Sequence, residues 1–153
     1  MSRLYIFVRN DLPSLNTGKA MAQVTHCVSQ FMGFDPECAE EWCAEADGFG
    51  TTIVMEGSKR DIDRLMENVE YCGCYTSMGK VVDPTYPFRL QKEIIPYLRE
   101  DAEIVYDKET MDKYGMVDAT RRAHTASWIY VNSEKDLEWL KEEIDENNIK
   151  LFH

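Results

Sequence analysis

Residues 3–9, Arg-Leu-Tyr-Ile-Phe-Val-Arg, are the stretch that decides the fold class. A run of β-branched and aromatic residues of this length is typical of a buried strand. A loop marked by Pro13 follows it, and then Asn16 or Thr17 can cap a helix that runs to about Met32. A strand followed by an amphipathic helix favours a layered α/β fold.

This predicted first helix carries two stripes of side chains. Its apolar residues recur every three or four positions, as on one face of a helix: Ala20, Met21, Val24, Val28, Phe31 and Met32. Its polar residues have the same spacing and form the opposite stripe: Lys19, Gln23, His26 and Gln30. The polar stripe starts at a helix N-terminus, where unpaired N–H groups favour an anion. It also follows the carboxyl end of a strand, where open α/β sheets bind ligands. A solvated helix face is the alternative interpretation.

Further elements alternate along the chain. The sequence predicts strands at residues 51–55, 75–82 and 126–131 and a short strand at 149–152. Ser58 and Ser133 are each followed three residues later by Asp, which indicates capped helices. Residues 33–50 are acidic and rich in turns, with a short helix expected around Trp42.

Residues 86–122 fit this alternation poorly. Pro96 interrupts an apolar pattern, so a long helix is excluded there, and residues 104–106 predict only a short extended piece. We therefore expect one α/β domain over residues 1–153. It is a sandwich with a four-stranded mixed sheet flanked by helices, and it has an irregular insertion at about 86–122, before the last main strand.

Composition places the chain among globular proteins. Of 153 residues, 44% are hydrophobic and 29% charged, which excludes a disordered chain and a coiled coil. Apolar runs are shorter than the roughly 18 residues of a membrane helix, and the N-terminus does not resemble a signal peptide. The five cysteines, with no secretory signal, are expected to be free thiols in the cytoplasm. Cys38 and Cys43 with His26 match no common zinc spacing, so we expect no metal.

The net charge of −11 argues against extensive phosphate contacts, but its distribution is uneven. Residues 1–34 carry three basic side chains against one acidic, whereas residues 35–50 carry six acidic side chains and no basic one. An anionic ligand is therefore expected near the N-terminal segment.

Two Asp/Thr pairs are further candidates. Asp83 and Thr85 follow the predicted third strand, and Asp118 and Thr120 precede the fourth. A carboxylate at a strand end can orient a water molecule, although Asp and Thr are also common turn formers. The Gly18-Lys19 pair lacks the following Ser or Thr of a phosphate-binding loop.

The motif Val8-Arg9-Asn10-Asp11-Leu12, followed by Gly18-Lys19-Ala20-Met21-Ala22-Gln23 and His26, resembles the start of the archaeal-type (type 2) peptidyl-tRNA hydrolases. The order of the later elements also agrees, apart from residues 33–48 and about 86–122. This resemblance implies a compact α/β sandwich, often a homodimer. It also implies hydrolysis of the ester between a peptide and the 3′ ribose of tRNA, without a metal or other cofactor.

The resemblance also implies roles for individual side chains. Lys19 would stabilise the oxyanion or a phosphate, Gln23 and Thr85 would position substrate or water, His26 would support the network, and Asp83 would orient the attacking water. Asp118 and Thr120 are the second choice for the Asp and Thr. The basic side chains available for tRNA are Arg9, Lys19, Lys80, Arg121 and Arg122.

Two other functions remain open from the sequence. One is a non-catalytic binding protein that engages a protein partner through its acidic surface and the insertion. The other is a hydrolase of a smaller acyl ester or amide.

Overall fold

The computed structural model describes residues 1–12, 15–98 and 103–153, and it shows a mixed sheet with helices on both faces. Pro13 of the predicted loop and residues 99–102 of the predicted insertion lie outside the described residues. The strands are β1 (Arg3–Arg9), β2 (Thr52–Gly57), β3 (Ser77–Gln91), β4 (Ile104–Val105), β5 (Met116–Val131) and β6 (Lys150–Leu151). The helices are α1 (Thr17–Phe34), α2 (Pro36–Ala44), α3 (Lys59–Cys72), α4 (Lys108–Tyr114) and α5 (Glu134–Glu146), with 3-10 turns at Ala46–Gly48 and Lys92–Tyr97.

The strands follow the order β3-β5-β1-β2-β6, and β4 pairs with β5. Only β1 and β2 run parallel among the described pairs, and the other pairs are antiparallel. The predicted mixed sheet flanked by helices is confirmed, but the predicted number of four strands is wrong, because the described residues form six. The two strands beyond the four are the two-residue β4 and β6, which lie within the short extended pieces that the sequence predicts at 104–106 and 149–152.

Each face of the sheet buries its own apolar cluster. On one face α3 and α5 pack Ile62, Leu65, Leu137 and Leu140 against Phe7 and Ile129. On the other face α1 and α2 contribute Phe31 and Trp42, which lie against Trp128 and Tyr130 of β5. Within the described residues, no helix is both long enough and apolar enough to cross a bilayer.

Three helix starts occur where the sequence predicts them. The Asn16 side chain accepts a hydrogen bond from the N–H of Lys19 at 2.9 Å, which caps α1. Ser58 and Ser133 accept in the same way from the N–H groups three residues on, which caps α3 and α5. Helix α2 confirms the short helix around Trp42, and β6 confirms the short final strand.

The prediction of an irregular insertion at 86–122 is wrong at both ends of that segment, whereas β4 at Ile104–Val105 confirms the short extended piece expected at 104–106. Residues 86–91 of β3 pair with residues 116–121 of β5, so both strands continue well beyond the sheet centre. Helix α4 covers this extension, and the contact buries Phe88, Leu90, Met111, Val117 and Ala119. The strand predicted at 75–82 continues past Pro84, which is possible because β3 lies at the edge of the sheet. A proline there costs no ladder hydrogen bond on the outer side.

Candidate functional site

Two β-bulges flank Asp83 where β3 and β5 cross the N-terminal half of α1. Val81 lies opposite Ala126 and Val82 opposite His124, so Thr125 is an extra residue on β5. The pairing then skips from Asp83 to Tyr86, which leaves extra residues on β3. A bulge bends its strand and re-aims a side chain, and bulges are common beside active sites. Here they direct Asp83 and Thr125 towards the same side chain of α1.

That side chain is Gln23, which joins the two strands. Its Nε2 donates to Asp83 Oδ2 at 3.0 Å, and its Oε1 accepts a hydrogen bond from the Thr125 hydroxyl. Gln23 is 3% exposed and Thr125 fully buried. A carboxylate can only accept hydrogen bonds, so the amide group of Gln23 must turn its nitrogen to Asp83 and its oxygen to Thr125. The network therefore has one consistent arrangement of donors.

Asp83 is held on its second oxygen as well. The Thr85 N–H donates to Asp83 Oδ1 at 2.9 Å, and the Thr85 hydroxyl lies 3.5 Å from the same atom. The Asp83 carboxylate is half-buried, so one side of it remains open to water. Each carboxylate oxygen can accept a further hydrogen bond beyond the one described.

Lys19 lies one turn before Gln23 on α1 and reaches towards β3. Its Nζ donates to the carbonyl oxygen of Pro87 at 3.3 Å and lies 5.7 Å from the centroid of the Tyr86 ring. Burial raises the pKa of Tyr86, while the positive charges of Arg121 and Arg9 act in the opposite direction. A cation over an aromatic face is attracted to it and keeps its charge available to a ligand.

Arg9 and Asp11 form the boundary of the site at the end of β1. Arg9 donates to Asp11 Oδ1 at 2.8 Å and to the carbonyl oxygen of His124 at 3.0 Å. Asp11 also accepts from the N–H of Lys59 at 3.1 Å. Burial opposes ionisation of Asp11, but these hydrogen bonds outweigh it, and the pKa of the carboxyl is lowered. These hydrogen bonds link β1 to β5 through Arg9, and to α3 through Asp11.

The other basic candidates differ in their surroundings. The Arg121 guanidinium lies 5.3 Å from the centroid of the Phe88 ring, and its buried Nε has no hydrogen-bond partner among the described residues. Arg122 and Lys80 are exposed. Both cations therefore lie against aromatic rings of β3, Lys19 against Tyr86 and Arg121 against Phe88.

The second-choice residues lie elsewhere. Asp118 is exposed and pairs across the strands with Arg89, and Thr120 pairs with Pro87 and Val105. Asp118 instead lines a separate cavity of about 360 Å³ with Thr110 and Tyr114. The structure thus brings Gln23 together with Asp83 and Thr85, and it does not bring Asp118 or Thr120 to them.

The two stripes of α1 are not divided as the sequence analysis expects. Gln23 is buried, and Gln30 is half-buried and accepts from the Trp128 ring N–H at 2.7 Å. Met21 and Met32 of the apolar stripe are exposed, as is His26. Helix α1 is rotated about its axis relative to the predicted orientation. The reason is that β5 offers hydrogen-bond donors to two glutamines and an aromatic surface to Ala20, Cys27 and Phe31.

Thr125 is the site residue that sequence reasoning missed. The only signal in the sequence is a hydroxyl side chain just before a run of residues that reads as a buried strand. Nothing local indicates that it is the extra residue of a bulge. For metals, no group of three or more His, Cys, Asp or Glu side chains in residues 1–12, 15–98 and 103–153 is placed to hold an ion. The five cysteines are unpaired thiols.

No family model matches this chain, and no curated protein matches it in sequence.

Proposed function

We propose that this protein hydrolyses the ester bond between a peptide, or another N-blocked aminoacyl group, and the 3′ end of tRNA. The observation that carries the proposal is the hydrogen bond from Gln23 to Asp83. It joins the motif at residues 8–26, which resembles the type 2 peptidyl-tRNA hydrolases, to the carboxylate expected to orient water. The two residues are 60 positions apart in the chain.

Asp83 is suited to activate a water molecule. Its carboxylate is fixed by Gln23 on one oxygen and by Thr85 on the other, and it is partly open to solvent. A water held on a remaining lone pair transfers a proton to Asp83 as its oxygen attacks the ester carbonyl. The same proton then passes to the departing 3′ oxygen of the ribose. A positioned general base of this kind contributes about 10²–10⁴ in rate.

Lys19 supplies the positive charge for the oxyanion. Its ammonium group projects from the first turn of α1, close to Tyr86 and one turn before Gln23, which binds the water-activating carboxylate. An oxyanion forms on the ester carbonyl when water adds, and a nearby ammonium stabilises it more than it stabilises the neutral ester. The mechanism uses side chains alone, with no metal or cofactor, and His26 on the exposed side of α1 remains a candidate proton carrier.

A small set of basic side chains is available to contact the phosphates of tRNA. Lys19 lies against the Tyr86 ring and Arg121 against the Phe88 ring, and Arg122 and Lys80 are exposed. The total charge of −11 repels the body of a tRNA, so we expect contact to be limited to the 3′ acceptor end. A homodimer remains a prediction from the resemblance.

The test is turnover of N-acetylated aminoacyl-tRNA by the purified protein and by two variants, Lys19→Ala and Asp83→Asn. Each change is expected to lower the rate by about 10²–10³, and circular dichroism is expected to show that both variants fold. Lys141→Ala, an exposed lysine of α5, is the matched control for the lost charge. Asp118→Asn tests the other carboxylate and is expected to retain activity.

Four outcomes would contradict this assignment. If Lys19→Ala stays within about threefold of wild type, Lys19 does not stabilise the oxyanion. If Asp118→Asn is inactive and Asp83→Asn is active, Asp118 and not Asp83 is the carboxylate that activates water. If the folded protein cleaves a free small ester and not the tRNA ester, it is a small-ester hydrolase, and if it cleaves neither, a non-catalytic binding protein is favoured.

A further inference from the structure

The outer side of β3 is a free sheet edge that passes the candidate site. In the part of the chain that the structure describes, β3 pairs with β5 on one side and with no strand on the other. An unpaired strand edge presents a row of backbone N–H and C=O groups that can bind a further strand. Asp83 lies near the middle of β3, so this edge runs past the carboxylate that Gln23 holds. The mechanism proposed above does not use the edge.

The hydrogen bonds of β1 show which backbone groups of β5 face β3. The N–H of Leu4 donates to a carbonyl oxygen just before β2, so the N–H and C=O of Tyr5 face the other neighbour, β5. Tyr5 lies opposite Ile129, whose backbone groups therefore face β1. Backbone groups alternate in direction along a strand, so those of the next residue, Tyr130, face β3. In agreement, the Tyr130 carbonyl oxygen accepts a hydrogen bond from the N–H of Thr76, just before β3.

The first half of β3 therefore has its free groups on alternate residues. Tyr130 lies opposite Ser77, so the backbone of Ser77 faces β5, and every second residue after it does the same. The bulge at Thr125 places its extra residue in β5, so the alternation along β3 continues through it. Three residues direct their N–H and C=O groups away from the sheet: Met78, Lys80 and Val82. The next outward position is Pro84, which has no N–H, so the edge that can donate ends beside Asp83.

The two directions along β3 from Asp83 differ in charge. Lys19 and Arg121 both lie against aromatic rings in the part of β3 that follows Asp83. These cations suit the phosphates at the end of a tRNA. Residues 77–82, which precede Asp83, contain no acidic side chain, and their one charged side chain, Lys80, is exposed. An ester held at Asp83 with its tRNA part on the cationic side therefore directs its peptide along residues 77–82.

We propose that the peptide part of the substrate binds as an added β-strand along residues 77–82, parallel to β3 and with its C-terminal ester at Asp83. This inference rests on the proposed hydrolase function, because it assigns the peptide end of the same substrate. A strand rises about 3.3 Å per residue, so the edge holds about five or six residues of peptide. The bonds are made to the peptide backbone, so binding tolerates peptides of varied sequence. A single blocked amino acid reaches little of this edge.

The first experiment compares one tRNA charged with N-acetylalanine and the same tRNA charged with N-acetylated tetra-alanine. In the wild type, kcat/KM should be about tenfold higher for the longer chain, because it makes additional backbone hydrogen bonds. Lys80→Pro removes one outward N–H, which an edge strand tolerates, and should reduce that ratio to below about threefold. Lys80→Ala is the matched control, since it removes the same side chain, keeps the N–H and should keep the wild-type ratio.

The peptide can also be changed instead of the protein. Single N-methylation of the tetra-alanine amides should lower the rate at alternate positions only, because alternate N–H groups of a strand face the same neighbour.

The second experiment measures binding without turnover. The probe is adenosine that carries N-acetylated tetra-alanine through a non-hydrolysable 3′-amide, and the readout is backbone hydrogen exchange by NMR. Exchange should slow at the outward N–H groups of Met78, Lys80 and Val82. It should not change at Gly79 and Val81, which face β5. The same adenosine with a single N-acetylalanine is the control and should leave Met78 unprotected.

Equal rates for the two chain lengths in the wild type overturn the proposal. So does a gain with chain length that survives in Lys80→Pro, or a probe that slows exchange at none of the outward N–H groups. If Lys80→Pro fails to fold, the methylated peptides and the exchange pattern still decide. If the outward N–H groups are already protected in the free protein and lose that protection on dilution, a second copy of the chain occupies the edge, which also overturns the proposal. If neither tRNA ester is cleaved, the hydrolase assignment fails, and the exchange pattern still decides whether the edge binds peptide.

Discussion

Replacing Thr125 by valine removes one hydroxyl group and almost no volume. That hydroxyl is fully buried and donates to the oxygen of Gln23, which is itself 3% exposed. Water cannot take its place, so the Gln23 oxygen is left as a buried acceptor without a donor. A polar group orphaned in this way costs about 1–3 kcal/mol. We expect the free energy of unfolding of Thr125→Val to fall by about 2 kcal/mol.

A double-mutant cycle separates the hydrogen bond from other effects of the substitution. Gln23→Met removes the amide at similar length, leaving the Thr125 hydroxyl without its acceptor, while half-buried Asp83 can be rehydrated. The double variant Gln23→Met/Thr125→Val contains neither orphaned group, so it should be less destabilised than the sum of the two single variants. The expected coupling energy is about 1–2 kcal/mol.

Urea unfolding of the four proteins at one pH measures this coupling. The dependence of the free energy on urea should be unchanged across the set, and each kcal/mol lost should lower the melting temperature by about 2–4 °C. Thr25→Val is the control, because the Thr25 hydroxyl bonds only within the exposed face of α1, and it should stay within about 0.5 kcal/mol of wild type. A coupling energy below about 0.3 kcal/mol would refute the buried bridge between α1 and β5.

Three further predictions concern packing, thiols and tRNA. A Cβ at Gly79 would lie 2.7 Å from the Trp128 ring, so Gly79→Ala should destabilise the protein by about 1–3 kcal/mol in urea, and a neutral effect would contradict this packing. Burial raises the pKa of Cys27 to about 12, so a thiol reagent should modify exposed Cys72 in the native protein and reach Cys27 only after unfolding, as mass mapping of the modified peptides will show. The logarithm of the tRNA binding constant should fall with the logarithm of the salt concentration with a slope of about −2, and Arg122→Ala should reduce the magnitude of that slope by about one. A binding constant that does not depend on salt would favour a protein partner.

Much of the local structure follows from neighbouring residues in the chain. The run at residues 3–9 predicts β1, and Ser58 and Ser133 predict the starts of α3 and α5, because a cap is satisfied by backbone N–H groups three residues away. Lys19 and Gln23 also stand out in the sequence, since helical spacing places them on one stripe. These features depend on interactions within one or two helical turns, so the sequence alone can specify them.

The lengths of β3 and β5, in contrast, depend on residues that are far apart in the chain. Residues 77–91 and 116–131 pair over their whole length, and α4 supplies the apolar cover of the outer part. Neither the pairing partner nor the cover is visible in a local window, so the sequence predicts a strand that stops at residue 82, before Pro84. Its position on an edge strand, where no neighbour needs its missing N–H, is a property of the sheet order.

The same distinction applies to the site. Local sequence patterns are enough to indicate β1, the caps, and the candidate side chains Lys19, Gln23 and Asp83. The contact of Gln23 with Asp83, and not with Asp118, depends on the folded sheet, where two bulges shift the register between β3 and β5. One of those bulges turns Thr125 into the core against Gln23, and a shift of one residue in a strand reverses which face a side chain occupies.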